Sequence, residues 1–280
     1  MIYPNFCNYN GFLFFHSVKV SLNLHKDMSV YNKILKDKTT IITGSNRGIG
    51  KSLIENFAYH GSNIIACSRK FDKNTEEFNQ SLEKKYKVKI DNYFFDLSER
   101  EQIKNFYSKI NDKYNSIEAL INNAGIVKTN LFQMTKIDEI EEVLKVNFIN
   151  QIYLTQFIVK KMTKAKSSSI VNVSSSSVYQ NPQGRLSYSA SKTALILATK
   201  TMSKELARHN IRCNAICPGL TNTDMKSQGA NEEYLKNIKN YVSLGRIAEP
   251  NEIADCAVFL ASDMSSYING ETIKVDGGII

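Results

Sequence analysis

The stretch TTIITGSNRGIGKSL at residues 39–53 decides the fold, because it joins a short apolar strand to a helix through a glycine loop. The β-branched run TTIIT is typical of a strand that is buried on both faces. Gly44, Gly48 and Gly50 allow the backbone to turn tightly and to approach a ligand closely. The helix that follows directs its N-terminal amides and positive dipole end toward that ligand, which favours a pyrophosphate. Glycine turns between strand and helix are common, and the spacing G-x3-G-x-G differs from the usual G-x-G-x-x-G. The prediction of a pyrophosphate site therefore depends on the position of the loop directly after the first strand.

Segments with strand and helix patterns alternate along the rest of the chain. Further strands are predicted at NIIAC (63–67), KIDNYFF (89–95), ALINN (119–123), SSIVNVSS (168–175), IRCNAIC (211–217) and TIKVDGG (272–278). Helical periodicity separates them and is longest over 137–163 and 188–207. Short apolar strands joined by helices predict right-handed βαβ units in a parallel sheet. We therefore expect one α/β domain over residues 38–280, built on a Rossmann-type doubly wound parallel sheet.

The end of the second strand indicates which dinucleotide the loop would hold. Dinucleotide sites often carry an acidic residue there, which binds the 2′-hydroxyl of the ribose. This chain has Ser68 and Arg69 instead, and Arg47 lies in the glycine loop. Two guanidinium groups can hold a 2′-phosphate through charge-assisted hydrogen bonds, although both arginines also fit an ordinary solvated surface. Because no carboxylate competes for the ribose, the sequence predicts NADP(H) in preference to NAD(H).

Composition excludes several classes of protein. Hydrophobic residues make up 42% of the 280 residues, which supports a sizeable core, and the formal net charge is +9. That charge fits a solvated basic surface or attraction of anionic ligands, and no basic block with interleaved aromatics suggests nucleic acid. The five cysteines are irregularly spaced, which favours a reducing, cytoplasmic environment over a disulfide framework, and no histidine cluster suggests a metal. No apolar run approaches the roughly 20 residues of a membrane span.

Residues 1–37 precede the predicted domain and are interpreted as a poorly ordered extension. The apolar core GFLFF is shorter than the roughly 7–15 residues of a signal sequence, and no positive segment precedes it. The segment also lacks the arginines of a transit peptide. A further hypothesis is that translation starts at Met28.

The segment YSASK at 188–192 places Tyr188 four residues before Lys192. On a helix this spacing puts both side chains on one face, where a solvated pair is the ordinary outcome. A phenol has a pKa of roughly 10, which is high for an acid working near neutral pH. A neighbouring cation favours the tyrosinate, so Lys192 is predicted to lower the pKa of Tyr188. The pair acquires a function only if the rest of the chain supplies something to protonate.

Several short motifs in a fixed order supply that context, and together they resemble the short-chain dehydrogenase/reductase family over nearly all of residues 38–280. They are TGSNRGIG at 43–50, NNAG at 122–125, LKVNF at 144–148, VNVSSSS at 171–177, YSASK at 188–192, CPG at 217–219 and VDGG at 275–278. The resemblance implies a nicotinamide cofactor and an exchange of hydride between that cofactor and a carbonyl or alcohol.

The family pattern also implies roles for individual residues. Tyr188 matches the proton donor, Lys192 its partner, Ser175 the hydroxyl that orients the carbonyl, and Asn147 the residue supporting a water-linked proton relay. The serine run leaves the register open, because Ser174 and Ser176 flank Ser175. The cofactor-binding set implied by the match, besides Tyr188 and Lys192, is Gly44, Ser45, Asn46, Arg47, Gly48, Ile49, Gly50, Ser68, Arg69, Asp96, Leu97, Asn123, Ala124, Gly125, Pro218, Gly219 and Thr221.

Within the family the chain is most similar to 3-oxoacyl-[acyl-carrier-protein] reductases, notably in GRIAEPNEIADCAVFLASDMSSYINGETIKVDGG at 245–278. This resemblance implies NADPH-dependent reduction of a 3-oxoacyl thioester in fatty acid synthesis. Basic residues near Lys164, Lys166 and Arg208 are candidates for contact with an acidic acyl carrier protein, although solvated lysines fit each position equally well. Two alternatives stay open: another small carbonyl or alcohol, such as a sugar-derived one, and a regulator that binds NADP without turnover.

Three further expectations concern the surroundings of the site. Arg185, three residues before Tyr188, departs from the small or amide residue of many related reductases and either faces the substrate or faces solvent. The segment 222–244 is the predicted substrate lid. The resemblance implies a homo-oligomer, either a dimer or a tetramer, formed through the helices at 137–163 and 188–207.

Overall fold

Seven parallel strands form one sheet in the computed structural model, which describes residues 33–224 and 237–279. The strands are β1 Thr39–Thr43, β2 Asn63–Ser68, β3 Ile90–Phe94, β4 Ala119–Asn122, β5 Ser168–Val173, β6 Ile211–Pro218 and β7 Thr272–Val275. Their order across the sheet is β3-β2-β1-β4-β5-β6-β7. The predicted doubly wound parallel fold is confirmed, and the predicted strands agree with the observed ones to within two residues at each end, except that β7 ends at Val275, three residues before its predicted end.

Helices connect the strands and cover both faces of the sheet. They are α1 Gly48–Tyr59, α2 Lys73–Tyr86, α3 Arg100–Lys113, α4 Ile137–Leu144, α5 Asn150–Met162, α6 Ser177–Gln180, α7 Leu186–Leu206 and α8 Pro250–Ala261. The chain winds outward from β1 to β3 and then returns to place β4 on the other side of β1. This reversal opens a crevice at the carboxyl ends of β1 and β4, which is where ligands bind in open α/β sheets.

Burial on both faces explains why the strands read as continuous apolar runs. Neighbouring residues of a strand point to opposite sides, so Ile41 and Ile42 enter two different cores. Ile42 packs in a cluster with Phe57 of α1, whereas Ile41 packs with Phe106 of α3 and Ile158 of α5. All of these side chains are fully or almost fully buried. The sheet is therefore fixed from both sides, and its strand ends are held in register.

The long helix predicted over 137–163 is interrupted by a π-helical turn at Lys145–Ile149. At its centre Asn147 is completely buried and makes two hydrogen bonds with the backbone of Ile126. Single π turns inside helices occur often at functional sites. The apolar periodicity of the sequence does not reveal a single extra residue in one turn, so the interruption was not predicted.

The packed domain begins before residue 38, which was the predicted boundary. Leu35 is fully buried in the core cluster that contains Phe57, and its amide donates a hydrogen bond to the carbonyl of His60 at 3.0 Å. Its apolar side chain therefore belongs to the domain and not to an extension. The remainder of the predicted extension, residues 1–32, and residues 225–236 of the predicted lid lie outside the described residues. Within the described ranges, every helix is too short or too polar to span a lipid bilayer.

We predict that Leu35→Ala lowers the free energy of unfolding by about 2–5 kcal/mol, because it leaves a cavity in a closed core. Urea denaturation measures this change. Leu131→Ala is the matched control, since Leu131 is 59% exposed and its truncation is expected to cost less than about 0.5 kcal/mol. Equal effects of the two substitutions would show that residues 33–37 do not belong to the cooperative fold.

Candidate active site

The carboxyl ends of β1, β2, β4, β5 and β6 surround a cleft of about 960 Å³. The cleft holds both the glycine loop and the segment that carries Tyr188 and Lys192. Of the site residues predicted from the sequence, Ser45 and Asn147 do not line it, and all the others do. Residues more than a hundred positions apart in the chain are thus brought together at one edge of the sheet.

The glycine loop closes so tightly that one of its glycines admits no side chain. A Cβ atom on Gly50 would lie 1.8 Å from the carbonyl oxygen of Gly44. Gly44 and Gly48 have positive φ angles of 67° and 52°, which L-residues with side chains seldom adopt. The backbone is therefore exposed toward the cleft at the N-terminus of α1, and this cradle fits a dinucleotide pyrophosphate.

Two of the predicted cofactor residues support the loop by hydrogen bonds within the protein. Ser45 is buried, and its hydroxyl donates to the carbonyl of Cys67 at the end of β2 over 3.0 Å. The Asn123 side-chain amide donates to the carbonyls of Thr43 and Gly44 at 2.9 and 3.2 Å. Ser45 thus ties the loop to β2, and Asn123 ties it to β4 while also lining the cleft.

Cations line the part of the cleft beside β2. No carboxylate stands at the carboxyl end of that strand. Ser68 ends that strand, and the exposed residues Arg69 and Lys70 follow it. Arg47, in the glycine loop, also lines the cleft and forms an exposed ion pair with Asp224 at 3.8 Å. Lys70 and Asp224 were not identified from the sequence, because each is a charged loop residue with no motif of its own. A phosphate on the ribose would meet positive charge at this end.

The structure resolves the register of the serine run. The Ser174 hydroxyl turns back to the carbonyl of Lys192 at 2.9 Å, and that of Ser176 faces Gln180 at 3.3 Å. Ser175 alone of the three shares a hydrogen bond with the phenol of Tyr188. The backbone amide of Ser177 donates to the Ser175 oxygen at 3.2 Å.

Lys192 lies beneath the tyrosine in an almost dry environment. Its side chain is 3% exposed, and its ammonium donates to the carbonyl of Val173 at 2.7 Å. The ammonium nitrogen is 5.8 Å from the centre of the Tyr188 ring. Burial disfavours the charged form and lowers the pKa of Lys192 to about 8.

The pKa of Tyr188 is raised above its ordinary value. The lowering that was predicted from Lys192 is therefore not found. Burial is the largest influence and raises the pKa, while the hydrogen bond from Ser175 and the charge of Arg185 lower it. Lys192 directs its ammonium to a backbone carbonyl and does not contribute to the shift. The sequence argument considered the charge of the lysine and left out the desolvation of the phenol.

Asn147 connects this site to the π turn without entering the cleft. Its side-chain oxygen accepts from the amide of Ile126 at 2.8 Å, and its nitrogen donates to the carbonyl of Ile126 and to the Ser191 hydroxyl at 2.9 and 3.1 Å. All three contacts are internal to the protein. The side chain therefore fixes the segment after β4 against α7, next to Tyr188 and Lys192.

Another part of the cleft lining consists of residues that the sequence did not single out. They are Ile126, Glu142, Val146, Gln180, Pro182, Leu220 and Ile279. Most are apolar, and Glu142 is paired with Lys128 at 3.3 Å. Arg185 also lines the cleft. Among the residues that the structure describes, no cluster of histidine, cysteine and carboxylates is arranged to bind a metal.

The basic residues predicted to contact a carrier protein lie at the end of the sheet opposite to the cleft. Lys164 and Lys166 precede β5, and Arg208 precedes β6, so all three lie near the amino ends of the strands. The cleft lies at the carboxyl ends, and strands of this length span roughly 20 Å. A protein bound to these residues would therefore sit on the side of the domain opposite to the cleft.

Comparison with known protein families matches residues 44–280 to the model of the enoyl-(acyl carrier protein) reductase family. A 3-oxoacyl-[acyl-carrier-protein] reductase of Thermotoga maritima is 38% identical over 249 residues, which cover 88% of this chain and 99% of that protein. A 3alpha-hydroxysteroid dehydrogenase of Mediterraneibacter gnavus is 33% identical over 245 residues, covering 87% of this chain and 97% of that protein.

A solved structure shows the same architecture. It is that of a provisionally assigned NAD(P)-dependent gluconate 5-dehydrogenase from Beutenbergia cavernae, with NADP bound at low occupancy. It superposes with a TM-score of 0.81 at 27% identity and covers 87% of this chain and 96% of its own. The names of these three relatives describe chemically different substrates.

We predict that Lys192 makes the stability of the fold depend on alkaline pH. The folded protein loses the lysine proton near pH 8, whereas the unfolded chain keeps it to about pH 10.5. Between these values the unfolded state binds more protons, so the free energy of unfolding rises with pH. Relative to Lys192→Met, the wild-type protein is expected to gain roughly 2–3 kcal/mol across this window.

Urea denaturation at intervals from pH 7.5 to 10.5 measures the difference. Lys200→Met, at an exposed position of the same helix, controls for the loss of one lysine. A difference between wild type and Lys192→Met that stays constant with pH would contradict the role assigned to burial.

Proposed function

Since the chain belongs to the short-chain dehydrogenase/reductase family of oxidoreductases, we propose that it reduces a carbonyl to an alcohol with NADPH as its cofactor. The resemblance noted from the motifs is thereby confirmed, including the similarity to 3-oxoacyl-[acyl-carrier-protein] reductases. We further propose a 3-oxoacyl thioester as the substrate and the 3-hydroxyacyl thioester as the product, as a step in fatty acid synthesis.

One observation carries the proposal: Ser175, Tyr188 and Lys192 converge on the same cleft as the glycine loop. NADPH, when bound, supplies a hydride to the carbonyl carbon. Negative charge then develops on the carbonyl oxygen, which needs a hydrogen-bond donor and a proton. Ser175 is positioned to donate the hydrogen bond, and Tyr188, whose phenol stays protonated at neutral pH, is the proposed proton donor.

Lys192 and Asn147 would act indirectly, by positioning the groups around Tyr188. Lys192 is buried against Val173, which fixes its ammonium below the phenol and at the floor of the cleft. Asn147 bonds Ser191, the neighbour of Lys192, and holds Ile126 at the wall of the cleft. We propose that Asn147 supports proton resupply by positioning these elements, since its own polar atoms are engaged within the protein.

The preference for NADPH over NADH is supported by charge. The cleft carries Arg47, Arg69 and Lys70 near Ser68, where NAD-specific sites hold an acid. NADPH differs from NADH by a 2′-phosphate, and guanidinium groups bind phosphate with charge-assisted hydrogen bonds. The solved relative from Beutenbergia cavernae was found with NADP, which agrees with this proposal.

The thioester substrate is supported by the several 3-oxoacyl-[acyl-carrier-protein] reductases among the relatives. The apolar walls made by Ile126, Val146 and Leu220 suit an acyl chain. Acyl carrier protein remains the proposed carrier of that chain, and it would have to approach at the carboxyl edge of the sheet. A small sugar-derived acid is the second candidate, which the cationic Arg185 in the cleft and the gluconate dehydrogenase neighbour both favour.

Three further proposals concern the protein as a whole. A regulator without turnover is disfavoured, because Ser175, Tyr188 and Lys192 are all present and assembled. A homo-oligomer is supported by Leu197 of α7, which is 67% exposed on the helix expected at the interface. A cytoplasmic location is supported by the four cysteines of the described residues, all of which are free thiols.

We predict that Tyr188→Phe lowers kcat with NADPH and an acetoacetyl thioester by about 10²–10⁴-fold, because the proton donor is lost. The loss of NADPH absorbance measures turnover, and fluorescence titration is expected to show an unchanged Kd for NADPH. Tyr179→Phe is the matched control, since Tyr179 lies on the nearby α6 but does not line the cleft. Near-normal turnover by the Tyr188 variant would refute the assignment, and turnover of keto acids but not of thioesters would select the second substrate.

We predict that Arg69→Ala weakens binding of NADPH by roughly 10–100-fold and leaves binding of NADH nearly unchanged, because only the 2′-phosphate loses a charge-assisted contact. Dissociation constants for both cofactors measure the effect. Lys73→Ala, which removes a nearby exposed charge outside the cleft, is the control. Equal losses for the two cofactors would exclude a role for Arg69 at the 2′-phosphate.

A further inference from the structure

The edge of the sheet opposite to the cleft carries most of the net charge of the chain. One segment enters each of the seven strands, and each is taken together with the end of any helix before it. In order from β1 to β7 these segments, here called the amino edge, are residues 33–38, 60–62, 83–89, 109–118, 160–167, 204–210 and 263–271. They contain 15 of the 36 lysines and arginines but only 7 of the 27 acidic residues. The amino edge therefore has a formal charge of +8, against +9 for the whole chain.

Most cations of the amino edge are exposed and unpaired, whereas nearby carboxylates are engaged. Asp263 pairs with Lys38 at 2.9 Å. Asp91, at the start of β3, holds Lys113 at 2.8 Å and Lys89 at 3.8 Å. Nine exposed cations form no ion pair with any carboxylate that the structure describes: Lys33, Lys36, Lys84, Lys87, Lys109, Lys164, Lys166, Lys204 and Arg208.

These nine cations are spread over most of the width of the sheet. They lie in the segments that enter β3, β1, β4, β5 and β6, which follow one another across the sheet with only β2 between β3 and β1. Neighbouring strands lie about 4.8 Å apart, so the strands from β3 to β6 extend over roughly 25 Å. Exposed charges act over about 8 Å at physiological ionic strength, so the fields of neighbouring segments overlap. The amino edge is therefore one broad positive surface.

The segment that enters β7 adds exposed apolar groups at one end of this surface. Tyr267 is fully exposed, and Met264 is 63% exposed. The turn that carries them is fixed, because the amide of Met264 donates to the Ser262 hydroxyl at 3.3 Å and the buried Ser265 hydroxyl donates to the carbonyl of Leu260 at 3.0 Å. A tyrosine, with an apolar ring and a polar tip, suits the boundary between lipid headgroups and hydrocarbon.

We propose that the amino edge binds the surface of a bilayer that contains anionic lipids, with Tyr267 and Met264 at the level of the headgroups. Eight of the nine cations are lysines, whose ammonium groups act as point charges and suit a fluid array of headgroups. Nucleic-acid sites rely more on guanidinium groups and on stacked aromatic side chains. An acidic carrier protein bound here would hold its acyl chain at the end of the strands away from the cleft. The cleft, at the carboxyl ends, stays open to the solution when the amino edge is occupied.

Sedimentation with vesicles tests the proposal on the full chain. The protein is expected to bind phosphatidylcholine vesicles that contain one third phosphatidylserine and not vesicles of phosphatidylcholine alone. About 1 M salt is expected to release it, because screening is then nearly complete. Replacing two lysines before β5, in the double variant Lys164→Gln/Lys166→Gln, is expected to weaken partition onto anionic vesicles about 10–30-fold.

A double variant at the other edge is the matched control. Lys73→Gln/Lys136→Gln removes the same charge at the starts of α2 and α4, which follow the carboxyl ends of β2 and β4. Its partition is expected to change less than about twofold, because these positions face away from the bilayer beyond the range of screening. Circular dichroism shows that each variant is folded. Equal losses in the two variants would overturn the proposal, since binding would then follow net charge and not the amino edge.

Two other outcomes would also overturn the proposal. One is equal binding to neutral and anionic vesicles, or no binding to either at about 0.1 M salt, where surface charges still act over about 10 Å. The other is release of the protein from anionic vesicles by duplex DNA of the same phosphate content, which would assign the positive surface to nucleic acid.

A fluorescent probe reports which edge meets the bilayer. The chain has no tryptophan, so Tyr267→Trp places a single indole on the amino edge. Its emission is expected to shift to shorter wavelength on anionic vesicles, because the indole leaves water. Phe132→Trp, at a side chain that is 78% exposed after the carboxyl end of β4, is the control and is expected to stay unchanged. A shift at position 132, or none at position 267 in a protein that binds, would refute the orientation, and no readout here depends on turnover.

Discussion

The parallel alignment of seven strands is the constraint on which the rest of the structure depends. Parallel strands place all their carboxyl ends at one edge, and the change of direction between β1 and β4 opens that edge into a cleft. Apolar clusters on both faces hold the strands in place. As a result the glycine loop after β1, the serine after β5 and the proline–glycine turn after β6 meet without any of them being close in sequence. The cleft is a consequence of the sheet, and its chemistry depends on what each strand carries at its end.

Desolvation governs the electrostatics of this cleft more than any single pair of charges does. Burial raises the pKa of Tyr188 and lowers that of Lys192, so each group is pushed toward its neutral form. A neutral phenol is suited to donating a proton to a developing alkoxide. The charge of Arg185 and a hydrogen bond with Ser175 lower the pKa of Tyr188 and so offset part of the effect of burial.

Particular residues show where sequence reasoning succeeds and where it stops. The strands were predicted well because burial on both faces leaves apolar runs that a linear pattern displays. Gly50 was recognisable as a loop glycine, but the contact that excludes a side chain, 1.8 Å from the Gly44 carbonyl, depends on the closed turn. The π turn at Asn147 inserts one residue into a helical period and leaves no periodic signal. Lys164, Lys166 and Arg208 read as a basic group in the sequence, yet they lie at the opposite end of the sheet from the cleft.

The sequence by itself determined the doubly wound fold, the family and many of the residues that line the cleft, because each depends on local periodicity or on short motifs. Only the tertiary structure decided which serine contacts the tyrosine, which groups Asn147 hydrogen-bonds, and how far the phenol and the lysine are buried. These outcomes depend on distances and on desolvation between segments far apart in the chain. A linear pattern records that a phenol and two cations are present, but the burial and the distances that set their ionisation arise only when the sheet brings them together.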